Sequence, residues 1–359
     1  MTMTSKLTTF LTSIEAHLDE RNHCSFHTAD YAATTEPEEN FISPLTHYGF
    51  LAIDGPDTSK FLQGQTTCNI AEIDASHGKR GACCSPKGRV ISSFLIGSTH
   101  EENFILRMRH KLVDVTESAL SKYIVFSKAK QTNASNDYLA IGLSGTKSSE
   151  TIERIFLGVP NEKLGTIVKD GHIAVQLDEE GSCFECWIKL DALEDLWPQL
   201  SRNFSLQGSK TWELLTIRLG LGEVDCETTE SFIPQMLNYH TTEAISFTKG
   251  CYTGQEVVAR MQYKGKLKKH MYHIYLDKDL LLPGDDLYSE NGQQSIGKIV
   301  NIVNIDNQGS EALAVITEKH VTNNDVFTHT DKKSTDRSTE GGNESGIRNA
   351  KILTLPYAI

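Results

Sequence analysis

Apolar residues in the first third of the chain alternate between short extended runs and stripes at helical spacing. The run 48–53 enters a Gly-Pro turn and is followed by Phe61 and Leu62, which predicts a strand, a turn and a helix. A tight turn at 85–88 separates two further extended stretches, and a helical stripe ends at Tyr123. Alternating strands and helices favour a mixed sheet that is covered on one face.

The spacing of apolar residues and turn residues changes twice further along the chain. Turn residues punctuate short apolar runs in the middle of the sequence, and the evenly spaced short strands after them are typical of a small antiparallel barrel. Apolar residues nearly vanish over 328–349, which predicts a disordered insertion. The expected units are a tail or loosely docked helix over 1–40, a first α+β unit over 41–134 plus 206–265, a second α+β unit over 135–205, and a C-terminal β-barrel over 266–359.

Composition narrows the class of protein. The 359 residues carry 35 Lys and Arg against 47 Asp and Glu, so sequence-independent binding to phosphate backbones is not expected, and any nucleic-acid contact needs a local basic patch. No apolar run approaches the ~20 residues that span a bilayer, and the first residues show no leader pattern. We expect a soluble, cytoplasmic protein with no membrane partner. Eight cysteines, two of them adjacent at Cys83 and Cys84, are too sparse for a disulfide framework and are expected to be reduced.

One stretch of the sequence carries most of the chemical information. Lys249-Gly-Cys-Tyr-Thr-Gly-Gln-Glu256 places Cys251 between two glycines, directly ahead of a predicted helix. The unpaired N–H groups and the dipole at a helix entrance favour an anion, and Lys249 adds a cation, so both effects favour the thiolate. Gly250 and Gly254 supply a positive φ or allow a second chain segment or a ligand to approach closely. The pattern indicates an exposed, activated thiol in a loop.

The same residues allow a simpler interpretation. Glu256 and Arg260 can pair across one turn of the helix and hold its face together. A lone cysteine, however, is commonly a small buried hydrophobe, and two glycines can belong to an ordinary connector. The residues alone leave both interpretations open.

Five segments of the chain resemble the YgfZ family of folate-binding proteins, which are relatives of the glycine-cleavage T-protein. They are Phe61-Leu-Gln-Gly-Gln65, Ser85-Pro-Lys-Gly88, Tyr123-Ile-Val-Phe-Ser-Lys128, Lys249-Gly-Cys-Tyr-Thr-Gly-Gln-Glu256 and Leu355-Pro-Tyr357. The resemblance extends over about residues 45–359. An eight-residue motif accompanied by further matches in the same order is a specific signal.

The resemblance implies a fold, a function and partners. The implied fold is α+β: a three-domain, T-protein-like ring with a central channel and a C-terminal antiparallel β-barrel, in which the first unit is the folate-binding domain. The implied function is that of a folate-binding accessory protein that supports the assembly or repair of iron–sulfur enzymes, including those that methylthiolate tRNA. Its ligand would be tetrahydrofolate or a derivative, and its partners would be iron–sulfur client enzymes, with an indirect link to tRNA. No stably bound metal is expected.

The family's functional residues transfer to this chain position by position. The thiol motif comprises Cys251 and Lys249 with Gly250, Tyr252, Gly254, Gln255, Glu256 and Arg260. Tyr48 holds the place of the folate-pocket aromatic that is commonly Trp in bacterial relatives, which keeps a stacking face and loses the indole N–H. Trp212 matches a second pocket aromatic in type. Tyr48 can also be a half-buried strand residue, and Trp212 can be the anchor of a helix stripe.

The resemblance also separates this chain from a glycine-cleavage aminomethyltransferase. T-proteins carry an Asp-Asp pair in the strand after the glycine turn, where this chain has Ser92 and Ser93. A hydroxyl cannot replace a carboxylate as a base at neutral pH, so glycine-cleavage activity is not expected. An alternative function is a folate-dependent one-carbon transferase that acts on an unknown acceptor, which could be linked to tRNA.

Two further patterns carry weaker information. Residues 260–270 hold five Lys or Arg and no acidic residue, which is typical either of an anion-binding rim or of a solvated connector. Cys183 and Cys186 have the spacing of a metal or redox pair but lack a second pair or a strand-to-helix junction. Extended backbone would direct these two side chains to opposite faces of a sheet, which favours structural burial.

Overall fold

The computed structural model describes residues 5–26, 39–277, 281–290, 294–305, 309–329 and 347–359. The strands are β1 His17–Leu18, β2 Cys24–Ser25, β3 Phe41–Pro44, β4 Tyr48–Asp54, β5 Lys79–Cys84, β6 Val90–His100, β7 Asn103–Arg109, β8 Lys130–Asn133, β9 Tyr138–Ser144, β10 Thr166–Lys169, β11 His172–Gln176, β12 Cys183–Lys189, β13 Ser205–Leu206, β14 Lys269–Leu276, β15 Asp286–Tyr288, β16 Ser295–Ile305, β17 Gly309–Thr317, β18 Phe327–His329, β19 Ile347–Asn349 and β20 Lys351–Leu353. The α-helices are α1 Ser5–Ser13, α2 Thr58–Gln63, α3 Val113–Ile124, α4 Ser148–Phe156, α5 Leu193–Leu200, α6 Ser209–Arg218, α7 Gln255–Lys264 and α8 Glu318–Thr322. None of the described helices is long and apolar enough to cross a membrane.

The first unit is a five-stranded antiparallel sheet in the order β5-β6-β7-β4-β8. Leu51 and Ile53 of β4 and Leu62 of α2 pack in one hydrophobic core with the apolar side of α3. The same core continues through Val300 and Leu313 into the C-terminal sheet. The predicted strand, turn and helix between 48 and 63 are therefore confirmed, and this unit packs directly on the C-terminal unit.

The second unit is a six-stranded sheet in the order β10-β11-β12-β9-β3-β13. Its two-residue periodicity places Cys186 in the core beneath α4 and α5 and Cys183 in the core on the opposite face, so the predicted burial of both cysteines is confirmed. One boundary differs from the expected division: β3 was expected in the first unit, but it pairs with β9 in the second sheet. Because its partner lies about 100 residues away in the chain, the local pattern could not reveal this pairing.

The third unit is a curled antiparallel sheet, a half-barrel in the order β19-β18-β15-β16-β17-β14-β20. The segment 347–353 pairs with β18 at one end and with β14 at the other, so the two edges of the sheet meet at Ala350. The expected α+β class and antiparallel C-terminal unit are confirmed. The expected insertion over 328–349 is too long, since its two ends lie in β18 and β19; its central part, 330–346, lies outside the described residues.

The N-terminal region is more ordered than a tail. Helix α1 buries Leu7, Phe10 and Leu11 in the core of the second unit, where the Phe10 ring meets Trp197 edge to face at 5.2 Å. The chain then forms a hairpin, since β1 pairs with β2. Of the expected tail over 1–40, residues 1–4 and 27–38 lie outside the described residues.

The C-terminal sheet is joined to the loop after α6 by a paired contact. The side-chain amide of Asn301 in β16 accepts a hydrogen bond from the backbone N–H of Glu223 and donates one to its carbonyl oxygen, both at 2.9 Å. Both groups of the Asn301 amide are buried. This contact fixes Glu223 where the three units meet.

Candidate functional site

Residues 249–254, which precede α7 and are called the thiol loop from here on, lie against the first unit. Cys251 is exposed, whereas the other seven cysteines, all within the described residues, are buried or half-buried. The backbone N–H of Thr253 donates to the Gly64 carbonyl oxygen at 3.1 Å, and Gly254 packs against the turn at 85–88. The thiol loop thus brings together three of the five segments that carry the family resemblance.

The contact between the thiol loop and the turn at 85–88 requires two glycines. Gly254 has a φ of +85°, and a Cβ at this position would lie 2.5 Å from the Ser85 carbonyl oxygen. Gly88 has a φ of +67°, and its Cβ would lie 2.7 Å from the Cβ of Val257 in α7. Any larger residue at either position would separate the turn from the start of the helix.

Lys249 binds the first unit through its ammonium group. Its Nζ donates to the carbonyl oxygens of Thr66 and Cys68 at 2.7 and 2.6 Å. Burial lowers the pKa of Lys249 to about 8, because desolvation disfavours the charged form. The ammonium of Lys249 therefore binds main-chain oxygens and attaches the thiol loop to the segment after α2.

The remaining residues of the motif have different surroundings. Tyr252 is buried, and its ring centre lies 5.3 Å from Nζ of Lys249. Gln255 donates from Nε2 to the Gly250 carbonyl oxygen at 3.4 Å. A Cβ at Gly250 would meet no atom within 4 Å, and its φ is not positive, so neither the backbone conformation nor packing within the chain demands glycine there. The close approach of a ligand at Gly250 stays a prediction.

The expected ion pair across the first turns of α7 is absent. Glu256 and Arg260 are both exposed, and among the described side chains the two form no ion pair with each other. The face of α7 that packs inward is held by Val258, which is fully buried. Arg260 and the exposed Lys264 and Lys266 lie on the surface next to Cys251 in the sequence.

Three buried thiols lie beneath this part of the first unit. Burial raises the pKa of Cys68, raises that of Cys83 to about 12 and raises that of Cys84 further still. These groups are therefore neutral thiols at neutral pH and poor nucleophiles or metal ligands. In the part of the chain that the structure describes, no three His, Cys, Asp or Glu side chains come together in a way that could hold a metal ion.

Tyr48 lies at the start of β4 with little exposed surface. Its hydroxyl donates to Oε2 of Glu223 at 2.8 Å, and the guanidinium carbon of Arg107 lies 3.9 Å from its ring centre. The ring of His47 is 4.1 Å away. One face of Tyr48 therefore stacks on an arginine, at the position where the family resemblance implies a ring that stacks on a ligand.

A buried group of charged residues, called the central charge cluster, surrounds Tyr48. Its members are Arg107, Arg109, Glu185, Glu213 and Glu223. Arg107 makes two hydrogen bonds to Glu185, from Nε at 2.6 Å and from Nη2 at 2.9 Å, and a third to Glu223. Because Arg107 lies on β7, Glu185 on β12 and Glu223 against β16, the Arg107 side chain links all three units.

Burial does not neutralise Glu223 or Arg107, because each lies against groups of opposite charge. Desolvation opposes charge on Glu223, but Arg107 and Arg109 outweigh it and lower the pKa of this carboxyl to about 2. Burial would likewise lower the pKa of Arg107, yet Glu185 and Glu223 raise it above its ordinary value. By residue type the cluster holds three acidic and two basic side chains, so its formal charge is one negative unit.

His23 from the N-terminal hairpin supplies the compensating cation. Its Nε2 lies 2.8 Å from Oε2 of Glu213, whose other oxygen pairs with Arg109. Its Nδ1 lies 3.2 Å from Asp19. Burial opposes protonation, but Glu213 and Asp19 outweigh it and raise the pKa of His23 to about 9.

None of the sequence motifs predicts the central charge cluster. A signal was present: Arg107 and Arg109 interrupt an apolar strand at alternate positions, which lie on one face, and Glu185 interrupts another apolar strand. A charge inside a strand pattern that is otherwise buried needs a partner. The partners themselves come from distant segments, so no local motif could name them.

Trp212 is fully buried in α6. Its ring packs on Gly142 of β9, where a Cβ would lie 2.3 Å from the indole. Its Nε1 has no hydrogen-bond partner among the described residues. Trp212 anchors the helix against the second sheet, as the simpler interpretation held, and a role in ligand binding stays a prediction.

Two neighbouring cavities adjoin the central charge cluster. The larger, of about 110 Å³, lies between the N-terminal hairpin, α6 and the C-terminal unit; the smaller is about 20 Å³. Both are lined by Arg21, His23, Arg109 and Asp225. The larger one is also lined by Lys210, Glu213 and Asn301 among others. Neither lining includes the thiol loop, Tyr48 or Trp212.

Ser92 and Ser93 are engaged with protein groups. The Ser92 hydroxyl accepts from Thr116 Oγ1 at 2.7 Å, and the Ser93 hydroxyl accepts from the backbone N–H of Val224 at 2.9 Å. Both serines are buried. They stabilise the packing of β6 on α3 and on the loop after α6.

No family model matches the chain. Among solved structures it is similar to the glycine cleavage system aminomethyltransferase T from Bartonella henselae, with a TM-score of 0.74 and 13% identity, covering 98% of this chain and 96% of that one. This likeness defines the class by fold: the chain has the fold of the T-protein.

Curated relatives narrow the class to a family. The tRNA-modifying protein YgfZ of Photobacterium profundum is 32% identical over 71% of this chain and 76% of its own, and that of Pectobacterium atrosepticum is 32% identical over 73% and 78%. The YgfZ protein of Cronobacter sakazakii is 28% identical over 88% of this chain and 92% of its own. The chain belongs to the YgfZ family.

Proposed function

We propose that this protein is a folate-binding accessory protein in tRNA modification, which supports iron–sulfur enzymes through the thiol of Cys251. The observation that carries the proposal is the thiol loop. It presents one exposed cysteine on a rigid base to which three separate segments of the chain contribute. Membership of a family whose curated members are named tRNA-modifying proteins supports the tRNA link.

The exposure of Cys251 suits action on another molecule. Thiolate sulfur is the usual protein ligand of iron in iron–sulfur clusters. A cysteine that acts on the cluster of a client enzyme must be able to reach it, and Cys251 is exposed whereas Cys68, Cys83 and Cys84 are not. Lys249 and Gly254 hold the loop that carries the thiol and are positioning residues in this proposal.

The folate is proposed to bind at the cavity beside the central charge cluster. The pterin ring of a folate has N–H donors next to a carbonyl oxygen, and the cavity offers the carboxylate of Glu213 and the cations of Lys210 and Arg109 as complementary partners. The cavity therefore offers the types of hydrogen-bonding group that a pterin ring requires. Tetrahydrofolate, when bound, would carry or accept a one-carbon unit.

The surroundings of the serines argue against proton chemistry on that folate. Ser92 and Ser93 each accept a hydrogen bond from within the protein, and a hydroxyl is not a base at neutral pH. We therefore favour an accessory role over glycine-cleavage transfer. The alternative, one-carbon transfer to another acceptor, predicts release of free tetrahydrofolate when that acceptor is added.

The proposal is tested by Cys251→Ala in cells that lack the native gene. The variant is expected to fold and to bind tetrahydrofolate like the parent protein, but to lose nearly all restoration of methylthiolated nucleosides in tRNA, as measured by mass spectrometry. Cys226→Ala, at a half-buried cysteine outside the motif, is the matched control and should restore them fully. Full restoration by Cys251→Ala would overturn the role of the thiol.

A further inference from the structure

The N-terminal hairpin lies in the centre of the molecule, at the site proposed for folate. Asp19, Arg21 and His23 all line the larger cavity, and Arg21 and His23 also line the smaller one. The hairpin is joined to α1, whose apolar face is buried in the second unit. A segment outside the three units thus forms one wall of both cavities.

The hairpin occupies the polar groups that face the larger cavity. His23 lies against Glu213 at 2.8 Å, and Asp19 lies 3.4 Å from Nζ of Lys210. Glu213 and Lys210 are the carboxylate and the ammonium that a pterin edge would need. The hairpin therefore already places a histidine cation and a carboxylate against the groups that would recognise the ligand.

The cavity is too small for a folate while the hairpin is in place. Pockets that hold ligands of this size measure about 300–1,000 Å³, against about 110 Å³ here. The hairpin side chains fill part of the difference. If the hairpin moved out, His23 and Asp19 would leave together. The cavity would become larger, and Glu213 and Lys210 would both lose their contacts with the hairpin.

The hairpin is held mainly by polar contacts that can be exchanged. Arg21 pairs with Glu227 at 2.7 Å, Thr46 donates from Oγ1 to the Asn22 carbonyl oxygen, and the Cys24 N–H donates to Ser209. Its strands are only two residues long, and a two-stranded hairpin of this size is marginal by itself. Such elements open at a lower free energy than the sheets around them.

We propose that the hairpin His17–Ser25 is a displaceable plug of the folate site. The plug and the pterin compete for Glu213 and Lys210, so folate binds the open state, and loss of plug contacts raises the affinity for folate. This inference rests on the proposed folate site and adds a regulation of it. The apparent dissociation constant equals the intrinsic one divided by the fraction of open molecules.

The first test follows the plug in the unmodified protein by hydrogen exchange. The Cys24 N–H donates to Oγ of Ser209 in α6 at 2.8 Å, so this amide reports on the hairpin in its docked position. Saturating tetrahydrofolate should speed exchange at the Cys24 amide, whereas a ligand usually slows exchange around its site. Unchanged or slower exchange at this amide, with folate bound, would overturn the plug.

The second test compares His23→Gln with a matched control. His77 also lies between two carboxylates, at 3.1 Å from Asp74 and 2.9 Å from Glu162, but on the surface of the molecule. In a tryptophan fluorescence titration with tetrahydrofolate, His23→Gln should lower the dissociation constant by about tenfold, as expected for a tenfold larger open fraction, and His77→Gln should leave it unchanged.

The outcomes separate the two proposals. If the parent protein and His23→Gln bind tetrahydrofolate with equal affinity and the Cys24 amide stays protected, the plug is overturned and the folate site stands. Binding only after the substitution would support both. Failure of the parent and of His23→Gln to bind tetrahydrofolate would overturn the folate site and the plug together. Far-ultraviolet circular dichroism confirms that each variant is folded.

Discussion

The thiol loop and the central charge cluster are assembled in opposite ways. The thiol loop takes its residues from one continuous stretch, exposes its cysteine and is held by backbone carbonyls and glycine contacts. The central charge cluster takes its residues from β7, β12, α6 and the loop after α6, and buries all of them. The loop can therefore change its chemistry without unfolding the protein, whereas the cluster cannot lose a member without affecting stability.

The largest effect is expected from Arg107→Leu. This change leaves Glu185 and Glu223 buried without their partner, and breaking a buried ion pair typically costs about 3–5 kcal/mol. Urea unfolding should show a loss of that size in the free energy of unfolding. Lys147→Ala, at the exposed pair with Glu150, is the control and should cost less than about 1 kcal/mol. A similar, small loss for both variants would remove the distinction between cluster and surface.

The next effect is a dependence of stability on pH that comes from His23. The groups that face it are Asp19, Glu213 and the neutral ring of His47, which is 5.0 Å away. Because the pKa of His23 is raised to about 9 in the folded protein, its contribution is complete below about pH 6.5 and is lost as the pH rises through 9. We expect a loss of about 3 kcal/mol across this window, since one pKa unit is worth about 1.4 kcal/mol.

Urea unfolding at pH 6 and pH 9.5 measures this contribution. His23→Gln should remove most of the difference between the two conditions, whereas His77→Gln should preserve it. An identical pH dependence in the parent and in His23→Gln would show that the hairpin histidine is not coupled to the carboxylates around it.

A smaller effect is expected from Gly254→Ala in the thiol loop. The positive φ and the Cβ contact with the Ser85 carbonyl oxygen should cost about 1–3 kcal/mol and displace the loop. Restoration of tRNA modification should fall together with stability, although Cys251 is still present. Full activity in a stable Gly254→Ala protein would mean that the exact position of the thiol does not matter.

The smallest effect is expected from Gly250→Ala, four residues earlier. No atom lies within 4 Å of a Cβ at this position, so the free energy of unfolding should change by less than about 0.5 kcal/mol. Comparison of the two glycine variants therefore distinguishes the effect of backbone strain, which only Gly254→Ala introduces, from the effect of changing a motif residue. A large stability loss in Gly250→Ala would contradict the packing described for the loop.

Local periodicity predicted the elements that rest on local physics. The strand at 48–54, the helix that carries Phe61 and Leu62, and the opposite burial of Cys183 and Cys186 all follow from spacing along one segment. The position of β3 in the second sheet does not, because it depends on a partner far along the chain. The hairpin at 17–25 was missed for the same reason, since its residues are polar and find their contacts in α6 and the loop after it.

The candidate site shows the same distinction between features that are local in the sequence and contacts between distant segments. The thiol loop could be found from the sequence because its glycines, lysine and cysteine are contiguous. The hydrogen bonds of Lys249 to two carbonyl oxygens and the stacking of Tyr48 on Arg107 could not be predicted. Their partners are distant in the sequence, and only the tertiary fold brings them together. The motif and the family resemblance singled out Lys249 and Tyr48, but their binding partners depend on tertiary packing.

The paired contact of Asn301 with the backbone of Glu223 has a mechanical consequence. The same glutamate carries the ion pair to Arg107 and the hydrogen bond from Tyr48. Any rotation of the C-terminal half-barrel must therefore pull on a main-chain peptide that is tethered to the other two units. Rigid-body movement among the three units is resisted at this joint and in the hydrophobic core that the first and C-terminal units share, which leaves the N-terminal hairpin as the element that is most easily displaced.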